Sequence, residues 1–186
     1  MANPLSASAW PHLVSLTEAR RGAASRPVDR HLVADAGERV RIAEALGLEA
    51  LESLEAHLRL SAWRDGARIE GAWRARIVQI CGISLEPFAS DLAGDFALTV
   101  VPAGSLLAEP PAEAEIVIDP EAEDPPDVLA ADQIDLGGYV VEHLALDVDP
   151  FPRKPGVAFE APPEAPAPSP FAALAGLKNG RGQGRG

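Results

Sequence analysis

A single cysteine, Cys81, in 186 residues leaves nothing for a disulfide framework and no clustered thiolates for a zinc site. Aromatic residues make up only 5% of the chain, and its 16 glycines follow no collagen-like period. No apolar run approaches the ~20 residues that span a bilayer. The opening residues, Met1 to Ser6, have no charged start followed by an apolar stretch, so no signal peptide is expected. A cytoplasmic protein with a reduced thiol, and without a membrane partner, is the expectation. What the chain does have is apolar side chain, 47% of residues, enough for a core and too much for wholesale disorder. Its length suits one domain with tails.

Charge is short of one sign in one place. The whole chain carries 28 acidic and 16 basic residues, a net charge of −12. Residues 103–152 hold 13 acidic side chains and no lysine or arginine, whereas residues 153–186 hold 5 basic and 2 acidic ones. Prolines among the carboxylates from Glu109 to Asp127 predict an extended acidic loop over about 103–131, with Ile116-Val117-Ile118 as a short edge strand. Such a run is either a solvated loop or a docking strip for a basic protein, with mimicry of nucleic-acid charge a further form of the second reading. A Pro-rich linker follows over 153–168. Then come a short amphipathic segment with Phe171, Leu174 and Leu177 at helical spacing, Lys178, and a flexible Gly/Arg tail with Arg181 and Arg185.

Between these ends the pattern predicts an α+β domain over 12–152, an antiparallel β-meander covered by two or three helices. Val28 to Ala34 reads as a strand. Asp35 with Glu38 forms a capping box before a helix over 36–46, whose apolar face is Val40, Ile42, Ala43 and Leu46 and whose end is Gly47. Leu54, Ala56, Leu58, Leu60 and Ala62 alternate with polar residues as one face of a strand. Arg64-Asp65-Gly66 is the turn, with Asp-Gly supplying the positive φ, and Ile69, Gly71, Trp73, Ala75 and Ile77 return on the same face. A third strand runs through Leu85 to Phe88, with Pro87 marking an edge or bulge, and resumes after Gly94 over Phe96 to Val101. Asp135 caps a further helix with Tyr139, Val140, Leu144 and Leu146, stopped by Pro150 and Pro152.

Catalytic patterns are missing: no phosphate loop with its lysine, no G-x-S-x-G elbow, and four scattered histidines. His57 is expected on the exposed face of its strand, and Cys81 as a structural thiol. No catalytic residue, metal ligand, cofactor or small-molecule substrate is expected. Arg59, Arg68, Arg74 and Arg76 fall on the polar face of the meander with Trp63 beside them. They are either a solvated face balanced by Glu55 and Glu70 or a surface for RNA phosphates and bases.

Three blocks in order carry a family resemblance. They are Cys81-Gly82-Ile83-Ser84-Leu85-Glu86-Pro87-Phe88, then Asp132-Gln133-Ile134-Asp135-Leu136 with Glu142 in the helix it opens, then Pro150-Phe151-Pro152 followed by Ser169 to Lys178. Over 12–178 the chain resembles the YceD family of bacterial large ribosomal RNA accumulation proteins. The resemblance implies a non-enzymatic factor supporting synthesis, processing or stability of 23S ribosomal RNA, with ribosomal RNA or a large-subunit assembly protein as partner. Its motif residues here are Cys81, Leu85, Glu86, Pro87, Phe88, Asp132, Ile134, Asp135, Leu136 and Glu142. Many relatives carry C-x-x-C at the first block; Ser84 stands at the second of those positions, so no zinc site is expected. An acidic chain is poorly suited to coating RNA, which favours docking on a protein or, as the alternative, an acidic module that binds a basic partner without touching RNA.

Overall fold

The computed structural model describes residues 8–23, 26–108 and 124–159. The expected strand at Ile116–Ile118, most of the Pro-rich linker and the whole segment from 169 lie outside the described residues. Contacts group the chain into a unit that ends at Pro155 and a second from Gly156, of which only 156–159 are described.

The elements of the first unit run β1 (Leu13–Val14), α1 (Leu16–Ala23), β2 (Val28–Val33), α2 (Ala36–Leu46), β3 (Ala50–Trp63), β4 (Gly66–Ile80), β5 (Pro87–Pro102), β6 (Asp127–Leu129), β7 (Ile134–Asp135) and α3 (Leu136–Asp147). The main sheet has the order β2-β3-β4-β5-β6; a small one pairs β1 with β7. This is the expected α+β meander, with one addition. Strands β2 to β5 pair antiparallel in sequence, but β6, in the stretch expected as acidic loop, lies parallel to the end of β5.

Period-two alternation puts Leu54, Leu58 and Leu60 of β3 and Ile69, Trp73 and Ile77 of β4 on one face, each 2% exposed or less. Burying side chains of this size contributes about 1.5–3 kcal/mol apiece. Helices α1 and α2 pack on this face over β3, and α3 packs over β5. Trp10, from the segment before β1, is fully buried in the same core.

Helix α2 forms for local reasons. The Asp35 side chain accepts the Glu38 N–H, the Glu38 carboxylate accepts the Asp35 N–H, each at 2.8 Å, and Gly47 ends the helix at φ 64°. Val40, expected on its buried face, is instead 57% exposed. Helix α1, which the sequence pattern did not predict, starts on one bond of such a box, Ser15 Oγ accepting the Glu18 N–H at 3.2 Å.

Several expectations are corrected. The β3–β4 turn is the pair Arg64-Asp65, with Arg64 rather than the glycine at positive φ, 49°. Gly66 is already in β4 opposite Trp63, and its need for no side chain is steric: a Cβ there would sit 1.8 Å from the Val100 carbonyl oxygen. Ala62, assigned to the buried face of its strand, is exposed, and Leu146 in the helix after Asp135 is 82% exposed. Leu85 and Glu86 belong to the turn before β5, where Leu85 takes φ 58°. From Pro87 the strand runs without a break through Gly94, whose missing side chain leaves room for the Trp73 ring on the facing strand.

Candidate functional site

Four arrangements place the residues singled out by sequence. The first is the outward sheet face. Cross-strand partners share a face, and the register sets Arg59 opposite Glu70, Arg68 opposite Ser61, Arg74 opposite Glu55 and Arg76 opposite Ser53. The four arginines therefore do share one surface. Acids interleave with them: Arg59 Nε lies 3.3 Å from Asp29, Arg68 Nε 3.6 Å from Glu70, and Arg76 bridges Glu52 and Asp91 at 2.8 Å each. Bonds to Asp91 and then Glu52 hold the Arg76 guanidinium above its usual pKa. Trp63 does not stand free among them, for the Arg64 guanidinium covers its ring at 4.8 Å. The same face carries a feature sequence reasoning missed. His31 and His57 sit directly opposite each other with rings stacked, centroids 4.1 Å apart and planes 3° from parallel. Strand alternation did identify His57 as exposed, but its pairing with β2 is long-range. A cavity of about 530 Å³ opens beside this face near Arg74, Glu55 and Asp91.

The second arrangement is the turn between β4 and β5. Cys81 is fully buried just beyond β4, and its sulfur accepts the N–H groups of Ile83, Ser84 and Lys154, each at 3.4 Å. The Ser84 hydroxyl, buried without a partner of full hydrogen-bond geometry, lies against that sulfur. Ser84, by its hydroxyl and then its N–H, and the Lys154 N–H lower the thiol to about 6 against the opposing effect of burial. The turn is fastened to the segment after α3: Gly82 N–H donates to the Pro152 carbonyl at 2.9 Å, and Glu86 holds Lys154 Nζ at 2.8 Å. That ion pair lowers the Glu86 pKa and raises that of Lys154. The residues do not fit the zinc ion that a C-x-x-C pair would hold. One thiolate faces a hydroxyl and backbone N–H donors, and a cation forms part of the surroundings. Pro87 and Phe88 simply begin β5, opposite Ile80 and Gln79.

The third is the block around β7. Asp132 accepts from Ser15 Oγ at 2.7 Å and from Thr17 N–H at 2.9 Å, so it caps α1 from across the fold; the Ser15 hydroxyl is the main cause of its lowered pKa. Ile134 and Leu136 are buried in the core, and Asp135 caps α3 by accepting the Gly138 N–H at 3.1 Å. These motif residues fasten the segment before α1 to α3.

The fourth gathers Glu142 with groups no local spacing predicts. A cavity of about 500 Å³ lies between the end of β5, the residues before and at the start of β6, and α3. Its walls include Arg68, Thr99, Asp124, Asp127, Tyr139 and Glu142. Burial, and then Asp127, push the Tyr139 phenol up; burial and Asp127 likewise raise Glu142. His143, stacked on Phe96 at 4.0 Å, has its Nδ1 2.7 Å from the Tyr139 carbonyl, which fixes that nitrogen as the donor.

The structure does not bring these four together into one centre. Phe171, Leu174, Lys178, Arg181 and Arg185 lie outside the described residues. Among the described residues, no three His, Cys, Asp or Glu side chains are grouped to hold a metal, and no helix is long and apolar enough to cross a membrane.

Comparison with known proteins reports on the same blocks. No curated protein and no solved structure matches the chain. Residues 69–178 match the family described as large ribosomal RNA subunit accumulation protein YceD. The match starts at Ile69 inside β4, later than the resemblance suggested, and runs through all three blocks. Covering more than half of the sequence, it places this chain in the YceD family, whose role is in large-subunit ribosomal RNA accumulation.

Proposed function

We propose that the protein is a non-enzymatic factor supporting synthesis, processing or stability of 23S ribosomal RNA, and that it acts by docking on a basic protein of the assembling large subunit. The observation that carries the docking is the state of the arginine face. RNA affinity comes mostly from cations that neutralise phosphates and release counterions. Arg59, Arg68 and Arg76 are interleaved with Asp29, Glu70, Glu52 and Asp91, so the face offers a phosphate backbone little net positive charge. The excess charge of the chain is negative, which attracts basic proteins and repels nucleic acid.

A non-catalytic role is supported by the environment of the one nucleophile. The sulfur of Cys81 is fully buried, which keeps a substrate from it even though the surrounding N–H donors and hydroxyl favour its thiolate.

The test is a sucrose gradient of host extract with tagged protein, crosslinked mildly before fractionation. The expected result is co-migration with large-subunit precursors and crosslinks to protein. Crosslinks to 23S ribosomal RNA at Arg59, Arg74 or Arg76 would replace docking by direct RNA contact. An unchanged ratio of large to small subunits after gene deletion, in the cold as well as in warmth, would sink the biogenesis role itself.

A further inference from the structure

The longest strand of the sheet is also one of its edges. β5 pairs with β4 over all but its last two residues, from Pro87 opposite Ile80 to Val100 opposite Ala67. On its other side β6 pairs only with Val100 to Pro102. Among the described residues, Pro87 to Thr99 therefore have an unpaired edge. Every second residue there turns its N–H and C=O away from β4.

Soluble proteins usually blunt such an edge with lysines, a mid-strand proline or a bulge. β5 has none of these: its register to β4 is continuous, proline stands only at its ends, and the strand contains no lysine or arginine. Its charges are Asp91 and Asp95, both exposed on the outward face. Below the strand α3 adds Glu142 and Asp147, with Asp147 Oδ2 3.0 Å from where a Cβ on Gly94 would be. Where the open edge meets β6, the carboxylates of Asp124, Asp127 and Glu142 line the cavity described above. The edge is thus long and regular: on its outward face Asp91 is already bonded to Arg76 of β4, while Asp95, and Asp147, Glu142, Asp127 and Asp124 beneath the strand and at its β6 end, supply negative charge.

We infer that the open edge of β5 takes an extended basic segment of a partner protein as an added strand, with one of its cationic side chains entering the cavity between Asp127 and Glu142. The main-chain ladder supplies affinity, and the carboxylates select lysine or arginine at alternate positions. Arg68, also at the cavity wall, has its Nε 3.6 Å from Glu70, and the three carboxylates opposite outnumber it, so an incoming cation still meets excess negative charge. A second copy of this chain is a poor occupant, because it would bring its own Asp91 and Asp95 against the same acids. The inference rests on the reading that the partner is a basic protein, and it names the surface that receives it.

The test uses the full chain and a labelled ten-residue peptide of alternating lysine and valine. Fluorescence anisotropy measures binding, and amide hydrogen exchange followed by NMR locates it. Expected are added protection at alternate amides between Phe88 and Leu98, no binding by a glutamate–valine counterpart, and loss of binding when alternate peptide nitrogens are methylated. The double variant Asp95→Asn, Glu142→Gln should bind roughly tenfold more weakly while the exchange pattern of the free protein stays as before. Binding that ignores both N-methylation and the double variant would overturn the inference, as would a peptide-free dimer protected along β5. Loss of binding on neutralising the carboxylates of 109–123, with no protection in β5, would overturn it too and leave the basic-partner reading standing. If the peptide pairs with β5 but the protein never enters ribosomal fractions, the edge is right and the biogenesis reading has failed.

Discussion

One oxygen of Asp135 serves two segments: Oδ1 accepts the Gly138 N–H at 3.1 Å and, at 2.9 Å, the N–H of His12, 123 positions before Asp135 in sequence. The first bond caps α3; the second draws in the segment that carries Trp10. The Leu136 N–H completes the junction by donating to the His12 carbonyl at 3.0 Å. Asp135→Ala is therefore expected to cost about 1–2 kcal/mol, the upper end of what losing a helix cap does. Urea denaturation checks the size. Asp135→Asn, which keeps an acceptor, should recover most of the loss.

Gly137 sits where the same segment crosses α3 most closely. A Cβ there would be 1.9 Å from the Trp10 carbonyl oxygen, a backbone atom that cannot swing aside. Gly137→Ala should destabilise by about 1–3 kcal/mol and lift Trp10 from the core. A red shift of tryptophan emission at native-state concentrations of urea is the readout; an unshifted spectrum with unchanged stability would contradict the packing.

Cys81 gives the protein a dependence on pH around neutrality. Its thiol titrates at about 6 in the folded chain, below its ordinary value of 9.0. A group whose pKa falls on folding stabilises fully above the unfolded value and stops doing so as pH falls through the folded one. Stability should therefore decline from pH 9 toward pH 6 and level off below. Cys81→Ala should flatten that part of the profile. Thiolate absorbance near 240 nm should titrate with its midpoint close to 6, and burial should keep alkylation of the native protein slow.

The arginine face yields the opposite kind of expectation. These ion pairs are exposed, and exposed pairs hold little free energy. Arg59→Ala, Arg68→Ala and Arg76→Ala together should leave the melting temperature nearly unchanged and should not displace the protein from large-subunit precursors on a gradient. Release from those particles would mean that RNA phosphates compete successfully with Asp29, Glu70 and Asp91.

What could be read from sequence was whatever local chemistry determines. Asp35, Glu38 and Gly47 fix both ends of α2 through bonds within a few residues, and they were legible. So was the alternation of β3 and β4, because a buried face repeats every second residue. Val40 and Leu146 failed because each stands two residues, about 200° of helical rotation, from a buried residue of its own helix, Ile42 and Leu144, and Ala62 because it falls at the exposed hairpin end of β3. The β1–β7 pair was illegible for a different reason: two residues carry no periodicity, and their partners come from the far end of the domain. Gly66 was read as a turn glycine when its constraint is the Val100 carbonyl on β5. Motif residues were found, but not what they do, since Asp132 and Glu86 act on Ser15 and Lys154 through tertiary contacts. The cavity at Glu142 draws walls from β4, β5, the stretch before β6 and α3, and no spacing in one segment announces it.

The junction at Asp135 also orders events in time. Strands β2 to β5 pair with their sequence neighbours, so each can join the sheet soon after it is synthesised. Trp10 belongs to the part of the domain made first, yet His12 and Leu13 find their partners only when Asp135 and Leu136 have emerged. The native contacts of the first residues of the domain are thus made with its last elements, so closure of the N-terminal segment requires the domain to be complete.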